Sequence, residues 1–283
     1  MNSRSESEFR QLFLSYVTNI LLFSLSLFVY HTNNYYQRFL SADTQDALLM
    51  MLILYAVIAI PLELLLPKNK RRLEGKGIIA VRAVIRYIRE GWNYLKRFPL
   101  NTSHPPGITK KEKVAILFLL VKFYFLPLMI NFAFGNLSNM MLYWGKFGDL
   151  ADTHVLLLDV VFPFLMALFL FVDTSYFVFG YSVEYPAIRN EVRSVEPTFF
   201  GWFVALACYP PLNSITDKYF IWTANSSAYL TTLEATYAMR IIALIFLGIY
   251  LWATLALGTR CSNLTNRGIV TWGPYAYVRH PAY

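Results

Sequence analysis

The residues with the richest chemistry in this sequence lie in one stretch, GPYAYVRHPAY, positions 273 to 283. Gly273-Pro274 sets a turn: glycine reaches backbone angles other residues avoid, and proline fixes φ. Arg279 offers a planar fork that suits a carboxylate or a phosphate. His280 can donate, accept or relay a proton near neutral pH. Pro281 removes a backbone donor and stiffens the chain. Tyr275, Tyr277 and Tyr283 present π-faces that attract a cation. The same composition also describes a basic, aromatic anchor at a membrane interface, so the type of element that carries the stretch matters.

The chain has 283 residues, of which 57% are hydrophobic and only 15% charged. Soluble domains carry about 25% charged residues. Aromatics reach 17%, an excess that suits the headgroup level of a bilayer. The composition therefore indicates an integral membrane protein. Two cysteines, Cys208 and Cys261, make neither a disulfide framework nor a CxxC metal pair. The C-terminus carries no prenylation box. The first apolar run, roughly Leu12 to Tyr30, is too long for a signal-peptide core and reads as a retained membrane helix.

A helix needs about 20 apolar residues to cross a bilayer. Runs at 12–30, 47–66, 114–134, 155–180 and 238–257 meet that need, and a shorter sixth, 198–212, ends at Pro210-Pro211. The expected fold is all-α: a polytopic membrane helical bundle of about six transmembrane helices, with a basic amphipathic cytoplasmic helix. With the N-terminus inside and six spans, 20 of the 25 Lys and Arg fall in inside segments and three outside. The positive-inside rule thus puts both termini in the cytoplasm. Four regions follow: a two-helix membrane hairpin over 1–66, a basic cytoplasmic loop over 67–113, a membrane helical core over 114–257, and a distinct closing segment over 258–283.

In the loop, Ile78, Val81, Ile85, Ile88, Trp92 and Leu95 step by threes and fours, with Arg82, Arg86, Arg89 and Lys96 flanking them. This helix either lies on the inner membrane surface or packs its stripe on the protein's own helices. His104 reads as a loop residue beside two prolines, and Asn225-Ser-Ser as a weak glycosylation triplet.

Asp159 and Asp173 fall in the fourth span, about 40° apart on an ideal helix, with Pro163 between them. Glu63, Lys122 and Arg240 also sit in or near apolar runs. Charges in lipid face a partner or a wet cavity, or snorkel from helix ends. Snorkelling suits Asp173, Glu63 and Arg240 by position, and suits Asp159 and Lys122 less well. The four histidines show no metal-binding spacing, and there is no phosphate-cradling glycine loop or GxSxG elbow.

The order of the closing residues resembles the isoprenylcysteine carboxyl methyltransferase family and the related phospholipid methyltransferases. The match runs from Leu257-Gly258 at the end of the last long helix to Gly273, Tyr275, Arg279, His280, Pro281 and Tyr283, in the family pattern G-x-Y-x-x-x-R-H-P-x-Y. It covers only about the last 30 residues. The resemblance implies an S-adenosylmethionine-dependent methyltransferase acting on a lipophilic small molecule or lipidated substrate, such as an isoprenylcysteine carboxylate, at the cytoplasmic face. His280 and Tyr283 would contact the cofactor, and Gly273, Tyr275, Arg279 and Pro281 would shape its pocket. No catalytic base, metal or nucleic-acid partner is implied. The family pattern continues beyond this motif with a helical hairpin and a segment bearing Glu or Arg. The 283 residues are therefore expected to hold the first part of a split site. Two other classes stay open: a membrane sterol-reductase-like enzyme using a nicotinamide cofactor, whose RHPxY-like segment differs in its flanks, and a non-enzymatic transporter or scaffold.

Overall fold

Long apolar runs in the sequence become long helices because an isolated backbone polar group has no partner in hydrocarbon, and a helix satisfies its own. The computed structural model describes residues 3–67, 71, 73–96, 107–148, 152–185, 188–220 and 228–281. In chain order the helices are α1 (Ser3–Thr32), α2 (Asn34–Phe39), α3 (Ala42–Leu65), α4 (Lys76–Lys96), α5 (Lys110–Trp144), α6 (Thr153–Val155), α7 (Phe162–Ser182), α8 (Phe199–Ala207), α9 (Leu212–Thr216) and α10 (Leu233–Leu257). A π-helical turn, Leu156–Val161, joins α6 to α7. Two strands of two residues each, β1 (Ser194–Val195) and β2 (Thr265–Asn266), pair antiparallel. Five helical segments are long and apolar enough to cross a membrane: α1, α3, α5, the α6–α7 run and α10. Their outward residues are apolar; Leu25, Phe28, Met50, Val57, Ile245 and Phe246 are each more than half exposed, as lipid-facing side chains are. The chain is thus an all-α membrane helical bundle.

Local chemistry sets the helix starts. Ser41, Thr198 and Thr232 each accept an amide hydrogen bond at the head of α3, α8 and α10. Thr109 and Glu112 form a reciprocal capping box ahead of α5: the Thr109 amide donates to Glu112 at 2.9 Å, and the Glu112 amide donates to the Thr109 hydroxyl at 3.3 Å.

Two units divide the chain, Met1–Tyr124 and Phe125–Tyr283, and α5 contributes residues to each. In the first, α1 packs on α3 and α4. Tyr16 donates to the Ala56 carbonyl at 2.7 Å, and Asn19 to the Tyr55 hydroxyl at 2.9 Å. The Gly75 amide donates to Ser15 Oγ at 3.1 Å, which fixes the chain entering α4 against α1. The side of α4 that packs is its small-residue side, Gly77, Ala80 and Ala83, together with Ile78. Beyond Ile78 and the half-buried Val81 the apolar stripe faces outward; Ile85, Ile88, Trp92 and Leu95 are all exposed. Lys76 and Lys122 both lie over the Phe118 ring, at 5.4 and 5.6 Å from its centroid, so Lys122 is held by an aromatic face inside the span.

In the second unit, α7 and α10 run parallel. At the start of α10 and of the α6–α7 run, His154 of α6 meets Tyr237, and the carbonyl of Leu158 in the π-helical turn accepts from Arg240. Midway, Asp173 meets Tyr250 and Thr254. At their far ends Gly180 touches Cys261. The intervening chain must therefore travel back along roughly 30 Å of helix, about the thickness of a bilayer core. Its landmarks trace that return: Glu196 binds Leu264 at the far end, and Tyr229 binds Asp159 at the first end. The sixth span expected over 198–212 is not one long helix. It is α8, nine residues and about 14 Å long, which stops ahead of Pro210-Pro211. The return is made by a longer, interrupted stretch.

Candidate functional site

The closing motif is positioned by the end of α10. The helix ends at Gly258, whose amide donates to the Thr254 carbonyl, and a 3₁₀ turn follows over Gly258–Arg260. The chain then folds back, and a second 3₁₀ turn, Gly273–Ala276, packs on α10. Gly273 has φ +62°, and a β-carbon there would lie 3.0 Å from Ala256 Cβ and 3.5 Å from Trp252 Nε1. Both the backbone angle and the close approach therefore require glycine. Pro274 is buried beside it. Tyr275 and Pro281 are half-buried, whereas Tyr277, Arg279 and His280 are exposed. The motif thus has an anchored head, Gly273 to Tyr275, and a presented tail, Arg279 to Pro281. Tyr283 lies outside the described residues, as do His104 and Asn225.

Past the end of α10 lies a polar knot built from 259–267, Tyr181 of α7 and the chain that follows α7. Arg267 is buried, and its guanidinium fork spans the knot. Nε donates to Ser262 Oγ at 2.9 Å and to Thr265 Oγ1 at 3.3 Å, and Nη1 donates to Asn190 Oδ1. Burial lowers the pKa of Arg267 from its ordinary value, while the nearby Glu184 charge opposes that shift. Asn190, fully buried, donates in turn to the Val183 carbonyl at 2.5 Å. The β1–β2 pair closes the knot, with the Arg193 amide donating to Asn266 and the Glu196 amide to Leu264, both at 2.8 Å. The Asn263 amide donates to the Tyr181 hydroxyl at 2.5 Å, and its side chain donates to the Tyr209 hydroxyl at 3.0 Å.

Deeper along α7 and α10, Asp173 is 5% exposed and accepts from Thr254 Oγ1 at 2.5 Å and from Tyr250 at 3.0 Å. It does not snorkel from a helix end; two hydroxyl donors satisfy it between the helices. Arg240 does not snorkel either. It is 6% exposed, sits between the Phe162 and Tyr229 rings at 5.1 and 5.0 Å, and lies 3.7 Å from Asp159. Asp159 occupies the π-helical turn and also accepts from Tyr229 at 2.8 Å, a bond that raises the Tyr229 pKa. The structure thus joins Asp159 to Arg240, and Asp173 to a separate hydroxyl pair. Neither carboxylate belongs to the closing motif.

Arg267, Asn190, Tyr181, Asn263 and Tyr209 form this knot, and sequence reasoning does not single them out. They come from four separate stretches, and no spacing rule links them. The one available signal is placement in a short polar segment directly after a long apolar helix: Asn190 after α7, and Arg267, one of two arginines there, after α10. Among the described residues, no three His, Cys, Asp or Glu come together in a metal-binding group.

The knot also encloses a thiol. Cys261 is fully buried, and burial, reinforced by the Asp173 charge, pushes its pKa up to about 12. It stays a protonated, inert thiol at every labelling pH below that value. Cys208 is exposed. Maleimide at pH 7 to 9 is expected to reach Cys261 only after unfolding. Intact-mass measurement before and after denaturation counts the labels, and a second label on the native protein would contradict the buried position.

No family model matches the chain, and neither a curated protein nor a solved structure matches it.

Proposed function

We propose that this chain forms the cofactor-facing part of a membrane-embedded S-adenosylmethionine-dependent methyltransferase, acting on a lipophilic acceptor at the cytoplasmic face. The observation that carries this reading is the anchored head and presented tail of the motif. Gly273 and Pro274 are held on α10, and Arg279 and His280 are exposed six and seven residues beyond Gly273, in the order the resemblance requires. The positive-inside bias supports a cytoplasmic position for this end of α10, and the return between the parallel helices supports the even number of crossings that the bias assumes.

The donor set fits the cofactor. Arg279 supplies a fork for its carboxylate, and the aromatic faces of Tyr275 and Tyr277 suit its sulfonium cation. When bound, the cofactor supplies an electrophilic methyl group. The chain's own residues bind and orient. His280 and Arg279 contribute hydrogen bonds from an exposed position, and the α10-anchored turn restricts where they can sit. In-line transfer depends on alignment and exclusion of water, and an ionised carboxylate acceptor needs no strong base. An acyl or prenyl tail on the acceptor would remain in the bilayer beside α10, whose outward face is apolar.

The test is equilibrium binding of radiolabelled S-adenosylmethionine to the full-length protein in lipid nanodiscs. His280→Ala and Arg279→Lys are each expected to weaken binding by about tenfold or more, since one charge-assisted hydrogen bond contributes about 1.5–3 kcal/mol. Unchanged far-UV circular dichroism would show that the fold survives. Absence of binding, or preferential binding of NADPH, would reject the methyltransferase reading, and NADPH binding would favour the reductase.

A further inference from the structure

The chain's positive charge is concentrated in one place. Segment 67–113 holds 13 Lys and Arg against three Glu, a net +10 that exceeds the +8 of the whole chain. The described core of that segment is α4, joined on one side to the end of α3 and on the other to the start of α5, both membrane-spanning. Three observations fix how α4 sits.

The first is its packed side. Small residues at Gly77, Ala80 and Ala83 let α4 lie close to its neighbours, and the Gly75–Ser15 bond ties its entry to α1. The second is a clamp. Arg86 bonds Glu112 at the start of α5 at 2.8 and 3.3 Å and Glu90 on α4 at 2.8 Å, and it also donates to the Gly107 carbonyl at 3.2 Å. These contacts hold α4 at a set rotation relative to α5. The third is what that rotation leaves outward. Val84, Ile85, Ile88, Trp92 and Leu95 form an exposed apolar face. Arg82, Arg89 and Lys96 are exposed and follow one another at intervals of seven, two turns apart, so they line one border of that face. The Lys96 ammonium lies over the Trp92 ring at 5.3 Å, joining the border to the face.

We infer that the outward side of α4 is a docking surface for an anionic phospholipid bilayer. The apolar face enters the acyl–headgroup boundary, while Arg82, Arg89 and Lys96 contact phosphate and carboxylate headgroups. Charge complementarity selects this occupant: a net +10 segment beside two membrane-spanning helices meets the one anionic surface that is always adjacent to them. Arg82 also pairs with Glu74 at 2.5 Å, so Arg89 and Lys96 carry most of the headgroup contact. Arg86 is a positioning residue; it aims the face and does not touch lipid. This surface belongs to the first unit and stands independently of the closing motif.

The experiment uses the full chain in nanodiscs, with Cys208 replaced by Ser and a nitroxide on Ile88→Cys or Asn93→Cys. Cys261 is buried and stays unlabelled. In discs with about a third phosphatidylserine, position 88 is expected to be accessible to oxygen and shielded from a water-soluble nickel chelate. Position 93, on the charged side, is expected to show the reverse. Replacing Arg89 and Lys96 by Gln should reduce the protein's preference for spin-labelled phosphatidylserine over phosphatidylcholine by about twenty-five-fold, since each of the two cations near an anionic surface contributes about fivefold. Arg86→Gln should loosen the depth contrast between the two positions even though Arg89 and Lys96 are intact. Nickel access at position 88 would overturn the inference. So would exclusion of both reagents, which would put protein over the stripe, and so would a lipid preference that the Arg89 and Lys96 changes leave intact.

Discussion

Gly180→Ala is expected to destabilise the protein by about 3 kcal/mol, one of the two largest losses from a single substitution in this chain. Gly180 lies near the end of α7, where the Cys261 backbone crosses it. An added β-carbon would collide with the Cys261 carbonyl oxygen and lie 3.1 Å from its carbon. The obstacle is backbone and cannot rotate away. Either α7 or the 258–261 turn must shift, and both adjoin the knot around Arg267. Gly135→Ala, in α5, is the matched control. A β-carbon there meets nothing within 4 Å, so alanine should be neutral or stabilising by up to about 1 kcal/mol. Thermal unfolding in detergent and titration with SDS measure both variants. If Gly180→Ala unfolds with the unsubstituted protein, the close approach is not as drawn.

Arg267→Ala should cost about the same, on the order of 3 kcal/mol, for a different reason. The side chain is buried, and its fork bonds Ser262, Thr265 and Asn190 at once. Truncation leaves Asn190 Oδ1 without that donor in a buried site and opens space inside the knot. Arg267→Lys keeps the charge but offers a point donor in place of a fork, so it should recover less than half of the loss. A second readout separates this from general damage. Maleimide should reach Cys261 in native Arg267→Ala, because the thiol is enclosed by the same knot. Full rescue by lysine would mean that charge alone matters there.

The long helices were legible because a bilayer imposes a simple rule on composition. Apolar runs at 12–30, 114–134 and 238–257 lie inside single helices, 47–66 overruns the end of α3 by one residue, and 155–180 runs through α6, the π-helical turn and α7. The amphipathic period of α4 was equally plain, but its environment was not. The stripe alone leaves open whether it packs on the protein's own helices; the structure turns the alanines inward and leaves Ile85, Ile88, Trp92 and Leu95 exposed. Gly273-Pro274 read correctly as a turn, since its signal is local. Asp173 and Arg240 were hard for the opposite reason. A carboxylate a few residues from a helix end looks like a snorkeller until its hydroxyl partners, 77 and 81 residues away, are known. The 198–212 run misled because apolar composition measures length along the chain and does not reveal where a helix stops.

That interrupted return has a consequence for how the protein is made. During synthesis α7 enters the membrane as a strongly apolar helix, and α10 follows as another of the same orientation. The stretch between them includes α8 and α9, helices of only nine and five residues, and among its described residues it has no helix that would partition into lipid by itself. It can stay in the bilayer only by satisfying its broken backbone against neighbours already there: β2 and Asn263 at one end, Asp159 and Thr236 at the other. Those partners include residues of α10 and of the segment after it, which are translated later. The biosynthetic machinery must therefore hold an incomplete crossing until more than 250 residues have been made. Chains stopped before α10 should be poor membrane proteins even though four of their helices insert readily.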